Sequence, residues 1–366
     1  MIALPTKAAA KTAPVLCAAV LLYILTDLAV FGSGWYRQFL EPESLAGAME
    51  MCLRDEARRP LSPQPQIAVI GNSLLAEGFS PKIADQEAAG RMRFANLSVP
   101  GTTPRCWYYA LRAADPRANR YQAIVIQTEL YADEDGEEPM ADQISDLRVI
   151  DGLLAPSDAM DFASSFLKPR LRFEALRGVL LKGFVFKYDL QALLASPSKR
   201  LQKVALFNGG HATWAYDYEG HKESLAGVTV DWQRHSLRTP AAIPEAIRGR
   251  LKRAVFRQPA PHTGLQTIYR RQWFGRIVER YRSSRTHIVF VRVPRGPAVN
   301  PCSDPPGAPS TIRQLASDAA VRVLPADTFD ALEAPQYFWD ELHMNAAGRE
   351  RFSRMLVQSL ARVEGH

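Results

Sequence analysis

Hydrophobic and polar positions alternate in three different ways along this chain. Pro14 to Phe31 (PVLCAAVLLYILTDLAVF) is almost continuously apolar, broken only by Asp27, and is about long enough to cross a bilayer as a helix. It has little helical amphipathicity, which argues against a helix packed in a water-soluble core. From Gln66 onward the pattern changes to short β-branched runs, predicting strands at Gln66 to Ile70, Arg93 to Leu97, Ala123 to Thr128, Thr286 to Val293 and Val321 to Leu324. Helical spacing separates several of them, at Pro104 to Ala114, Leu265 to Ser283, Thr311 to Asp318 and Ala346 to Val363. Strands alternating with helices of this length predict an α/β fold with a parallel sheet covered on both faces, a three-layer α/β/α sandwich.

The third regime runs from about Met140 to Pro261, where the alternation stops. Amphipathic stretches (LRFEALRGVLLKGFVFKYDLQALL, then IPEAIRGRLKRAVF) flank a Gly-, Trp- and Tyr-rich segment, NGGHATWAYDYEGHKES, that reads as loop or hairpin. This is expected to be an insertion forming a cap or platform near the site. The expected organisation is therefore a cytoplasmic tail and transmembrane anchor at 1–32, a juxtamembrane helix and Pro-containing linker at 33–65, and one domain at 66–366 with its insertion at about 140–261.

Lys7 and Lys11 precede the apolar run, so the positive-inside tendency puts the N-terminus in the cytoplasm and the body outside it. The run is long for a cleaved secretory signal, and no clean A-x-A site follows it, which favours an uncleaved anchor. Asp27 would reach the membrane interface or contact a partner helix. An apolar fraction of 47% and a charged fraction of 23% over 366 residues are those of an ordinary folded protein, excluding wholesale disorder and a multi-spanning membrane protein.

The net charge of +7 hides an asymmetry: Lys168 to Arg285 holds 23 Lys and Arg against 8 Asp and Glu. That region would face anionic headgroups or an acidic polymer, or simply form a solvated basic surface. Nucleic acid is not expected outside the cytoplasm. Cys17, Cys52, Cys106 and Cys302 show no metal-ligand spacing; Cys17 falls in the anchor, and the other three allow one disulfide whose pairing the sequence leaves open.

Three short segments carry candidate chemistry. Ser73 follows the first strand of the domain within Ile70-Gly71-Asn72-Ser73-Leu74, where a serine at a helix mouth can expose its hydroxyl beside unpaired backbone N–H groups. Near the C-terminus, Asp340 and His343 are three residues apart in FWDELHMN, close enough for the carboxylate to fix the imidazole tautomer and stabilise the imidazolium. Gly101, in NLSVPGTT after the second strand, leaves room for an acyl oxygen and offers an N–H to it. Each alone has a plain reading as a helix cap, a surface histidine or a turn glycine.

Together, and in this order, the segments resemble the SGNH (GDSL-like) hydrolase superfamily. The resemblance covers roughly Gln66 to the C-terminus without the insertion, and D-x-x-H with its trailing Asn-Ala-Ala-Gly is its most specific part. It implies a flavodoxin-like sandwich, a Ser73–His343–Asp340 triad, an oxyanion hole from the Ser73 and Gly101 N–H groups, and neither metal nor diffusible cofactor. The family's third block supplies an asparagine to that hole, whereas Ala123 to Leu130 reads AIVIQTEL. Gln127 or the backbone could substitute as donor, whereas an ionised Glu129 there would repel an oxyanion. A degenerate third block behind an N-terminal anchor is similar to the branch that includes alginate O-acetylation proteins and the D-alanyl transfer protein of teichoic acid synthesis. That likeness implies periplasmic acyl transfer or ester hydrolysis on an exopolysaccharide or cell-envelope polymer, beside a multi-spanning membrane O-acyltransferase. The missing asparagine leaves a second expectation, a catalytically weak or inactive carbohydrate-binding or scaffold subunit.

Overall fold

The computed structural model describes residues 6–60, 62–133, 140–207, 217–257, 263–299 and 307–363, with the side chains of the first helix described from Pro14 onward. Seven strands are present among them: β1 (Gln66–Ile70), β2 (Arg93–Asn96), β3 (Ala123–Thr128), β4 (Thr229–Asp231), β5 (Ser236–Arg238), β6 (His287–Arg292) and β7 (Val321–Val323). Five form one parallel sheet in the order β2-β1-β3-β6-β7. The fold is α/β, and each strand of the main sheet lies within a residue of where its β-branched run predicted it.

The sheet is apolar on both sides because each strand reads as a continuous hydrophobic run and alternate residues point to opposite faces. On one face Ala68, Ile70, Ile124, Ile126, Ile288 and Phe290 share a core with Trp107 and Leu111 of helix Pro104–Ala114 and Trp273, Phe274 and Ile277 of helix Leu265–Tyr281. On the other, Ile67, Val69, Ala123, Val125, Val289 and Val291 meet Leu74 and Leu75 of helix Ser73–Gly78, Ala84 of helix Pro81–Ala88, and Phe352, Leu356 and Leu360 of helix Ala346–Val363.

Strand order reverses beside β1, with β2 on one side and β3, β6 and β7 on the other. Loops leaving β1 and β3 diverge there, at the carboxyl edge where parallel sheets of this kind bind ligands.

Three features bear on the sequence reading. Helix Leu45–Arg58, the expected juxtamembrane helix, packs against the domain, since Met49, Cys52 and Leu53 are buried in the first core and the Cys52 thiol sits 3.6 Å from the Asn96 carbonyl. Its apolar stripe packs beside helices Pro104–Ala114 and Ser145–Ile150, a placement that local pattern alone cannot distinguish from a free amphipathic helix. The hairpin between β3 and β6 is β4–β5, after the aromatic-rich segment; residues 208–216 of that segment lie outside the described residues and 218–224 are irregular. The thiols of Cys52 and Cys106 are both free and buried, so they do not pair with each other, and Cys302 lies outside the described residues.

At the N-terminus, helix Thr6–Asp27 and the wider turn Leu28–Gly32 give one segment, Pro14–Gly32, long and apolar enough to cross a membrane. Only 6% of it is buried against the rest of the chain. Asp27 is the exception in polarity and, like Phe31, is buried: it is 3% exposed, and its Oδ1 accepts a hydrogen bond of 2.7 Å from the Gly183 N–H.

Candidate active site

β1 ends at Ile70 and the chain turns into helix Ser73–Gly78 through Gly71 and Asn72. Asn72 caps that helix, its Oδ1 accepting from the Leu74 N–H at 3.0 Å. Gln127, near the end of β3 and 2% exposed, then locks Asn72 from below: its Oε1 accepts from the Asn72 N–H at 3.0 Å and its Nε2 donates to Asn72 Oδ1 at 2.8 Å. A glycine is required at 71, because a Cβ there would lie 2.2 Å from Gln127 Oε1. Ser73 is thereby held at the carboxyl edge of the sheet by a turn in which Asn72 is bonded on both its backbone and its side chain.

His343 reaches Ser73 from the other end of the chain. Its Nε2 lies 2.9 Å from Ser73 Oγ, and its Nδ1 lies 2.9 and 3.1 Å from the two oxygens of Asp340. Asp340 is 4% exposed and also accepts from the backbone N–H groups of Leu342 (2.9 Å) and His343 (2.7 Å). The D-x-x-H segment is a loop rather than a helical turn, closed by a bridge between Phe338 and Met344 and by the Trp339 N–H bonding the His343 carbonyl at 3.1 Å. This loop brings both triad candidates to Ser73 before helix Ala346–Val363 begins.

Two opposing influences set the titration of the pair. Burial raises the Asp340 carboxyl, but hydrogen bonds from His343 and from the Leu342 and His343 N–H groups outweigh it, so the group stays below its ordinary range. Burial lowers the His343 imidazole, but the hydrogen bond to Asp340 and the charges of Glu77, Asp340 and Glu341 outweigh it, so the imidazole stays above its ordinary value. The base is thus paired with an ionised carboxylate and is readily protonated.

Gly101 stands in the loop after β2 with φ at +70°, a left-handed conformation that favours glycine. Thr102 ties this loop to the serine turn, its Oγ1 donating within reach of the carbonyls of Val99 (2.6 Å) and Gly71 (3.0 Å) while accepting from Trp107 Nε1 at 2.9 Å. Asn96 braces the serine helix, donating through Nδ2 to the carbonyls of Leu75 and Phe79 at 3.0 and 3.2 Å. Gln127 commits its amide oxygen and one of its two amide N–H groups to Asn72, which leaves one N–H of the side chain as the donor it could offer an oxyanion. Glu129, just past β3, keeps solvent-exposed surface, yet desolvation by the chain around it holds its carboxyl above the ordinary range, against the pull of the Arg270 and Arg257 charges.

Four positioning residues were missed by local motif reading. Arg250, on helix Glu245–Val255, grips Glu341 through Nε at 2.7 and 2.9 Å and places its Nη2 3.8 Å from Asp340. Arg349 is 1% exposed and donates to the Glu77 carbonyl at 2.7 Å, satisfying the C-terminal end of the serine helix. Glu77 itself accepts from Trp339 Nε1 at 3.1 Å. His221 stacks on Trp339 with ring centroids 3.9 Å apart, and Trp339 in turn stacks on His343 at 5.9 Å. Both His221 and Arg250 come from the stretch between β3 and β6, which therefore borders the site; a basic amphipathic pattern gives no sign of which arginine does so. Among the described residues no cluster of His, Cys, Asp or Glu suits a metal ion.

The described geometry is that of an α/β protein with a serine–histidine–aspartate relay at the switch point of a parallel sheet. No protein-family model matches the chain, and no curated protein matches it.

Proposed function

We propose that this protein is a membrane-anchored serine esterase or acyltransferase of the SGNH type, a three-layer α/β/α sandwich with an insertion between β3 and β6. The observation that carries the reading is the continuous relay Ser73 Oγ to His343 Nε2 at 2.9 Å and His343 Nδ1 to Asp340 at 2.9 Å, at the sheet's switch point. His343 takes the Ser73 proton as Oγ attacks the carbonyl of an acyl donor, and Asp340 stabilises the imidazolium that results. The tetrahedral oxyanion is held by the Ser73 and Gly101 N–H groups. Collapse expels the donor's alcohol, which leaves with the proton from His343, and the acyl group stays on Ser73. An acceptor hydroxyl then gives its proton to His343 and takes the acyl group, restoring Ser73.

The acceptor in this reading is an exopolysaccharide or cell-envelope polymer, with water as the competing acceptor, and the body works on the extracytoplasmic side of the cytoplasmic membrane. A multi-spanning membrane O-acyltransferase would supply the acyl group. A second reading, a weakly active or non-catalytic scaffold subunit, is favoured by one observation: Gln127 commits its amide oxygen and one amide N–H to Asn72, leaving a single side-chain N–H for an oxyanion.

The test follows a radiolabelled acetyl group from an aryl acetate. Label is expected on the Ser73 peptide after rapid quenching, and on polysaccharide O-acetyl esters when polymer is added. Label on neither, with the protein folded, would support the scaffold reading instead.

A further inference from the structure

We propose that the helices Pro169–Leu180, Gly183–Ala195 and Pro197–Leu206 form a platform immersed in the lipid headgroup and upper acyl region around the apolar N-terminal helix. The proposal rests on Pro14–Gly32 being a membrane helix. It concerns a lipid-binding surface separate from the Ser73 site.

The platform is fastened to the outgoing end of that helix. Asp27 accepts from the Gly183 N–H at 2.7 Å, and Phe31 stacks on Phe186 with ring centroids 5.9 Å apart. Tyr36 donates to Asp189 at 2.6 Å, and Arg200 joins both the Phe39 carbonyl (2.9 Å) and Asp189 (3.0 Å). Together Phe31, Tyr36, Leu40 and Phe186 make a small core of their own.

This fastening sets the platform's depth. Tyr23 meets Phe184 edge to face at 6.0 Å. Tyr23 lies four residues before Asp27 in the same helix, about 6 Å along the axis at 1.5 Å per residue, and inside the apolar stretch. Phe184 is therefore level with a residue of the span, and wherever the span is in lipid, Phe184 is at lipid depth too.

The surface there suits that depth. Helix Gly183–Ala195 (GFVFKYDLQALLA) is apolar around most of its circumference, a pattern that belongs in a core or in lipid, yet Phe186 is the only buried residue within it. Phe173 is 66% exposed, Tyr188 66% and Leu194 70%, and Leu180, Leu201 and Leu206 are exposed as well. Val20, Leu21, Leu22 and Leu25 of the span are exposed as well, and Tyr23 among them touches Phe184 of the platform. Lys168 to Phe207 holds nine Lys and Arg against two acids. Arg177 lies over the Phe184 ring at 4.4 Å and Lys187 over Tyr188 at 4.6 Å, cations paired with aromatic side chains that bury their rings and leave their charge at the headgroups. Basic charge at this level fits anionic phospholipid.

Nitroxide labels test the depth directly. The full chain, with Cys17 and Cys302 replaced by serine, is labelled in turn at Phe173→Cys, Tyr188→Cys, Leu194→Cys, Leu21→Cys in the span and Ser317→Cys on the exposed body. It is reconstituted in vesicles of phosphatidylcholine and phosphatidylglycerol. Positions 173, 188 and 194 are expected to be relaxed severalfold more by oxygen than by a water-soluble nickel chelate, as position 21 is, with position 317 showing the reverse. Nickel access at 173, 188 and 194 while position 21 remains in lipid would overturn the platform and leave the anchor standing. Shielding of the three from both reagents would overturn it in favour of a protein partner. Nickel access at position 21 would remove the anchor reading, and the platform with it.

Discussion

His343 is held between burial, which disfavours its charge, and the carboxylates of Asp340, Glu77 and Glu341, which favour it, and the carboxylates prevail. General-base catalysis needs the neutral imidazole, so a raised value moves the acid limb of the activity profile to a midpoint above the ordinary histidine value of about 6.5. The sign for stability is the opposite: protonated His343 stabilises the fold below its unfolded value, and that contribution is lost as pH rises through the folded value. Asp340→Asn removes the largest stabilising partner, so the midpoint of kcat/KM against pH falls while the rate drops about 10⁴-fold, as loss of the orienting carboxylate does in such triads. A midpoint unchanged by the substitution would separate Asp340 from the base. Ser73, Asp340 and His343 were legible in the sequence because each sits in a short motif after a strand or before a helix. Arg250, Arg349 and His221 were not, because each reaches the site from an element whose own pattern says only that it is amphipathic, basic or aromatic.

Among the elements, helix Pro104–Ala114 joins the sheet to the stretch that follows β3. Its Arg105 is wholly buried, 2.9 Å from Asp146, and also donates to Ser165 at 2.9 Å and to the Ala141 carbonyl at 3.2 Å. The guanidinium lies 4.0 Å above the Phe166 ring. Burial raises the Asp146 carboxyl, and Arg105 is the group that pulls it back. Arg105→Ala leaves a buried carboxylate without its cation, so urea unfolding of this variant is expected to show a loss of about 3–5 kcal/mol. A loss under 1 kcal/mol would mean that these elements are not joined through Arg105. Strand and helix positions in the sheet could be read from periodicity because hydrophobic burial on two faces imposes it. The pairing of Arg105 with Asp146, 41 residues away, leaves no periodic trace. Helix Leu45–Arg58 shows the same limit, since amphipathicity announces a covered face without naming what covers it.

At the scale of the whole molecule, the apolar segment was plain from composition, and its attachment to the helices at 169–206 was not. Asp27 read as an anomaly in a hydrophobic run, and only the fold gives it a donor at Gly183. The candidate site is likewise a product of the whole chain: Ser73 and His343 are 270 residues apart, joined by a sheet that delivers one and a terminal loop that delivers the other. A serine activated this way reacts covalently with a fluorophosphonate, whereas an ordinary surface serine does not. Labelling of the full-length protein by such a probe is therefore the most direct measurement. The relay predicts stoichiometric modification of Ser73 in the wild-type chain, and none in Ser73→Ala or His343→Ala. An unreactive, folded wild type, or equal labelling of Ser73→Ala, would contradict it.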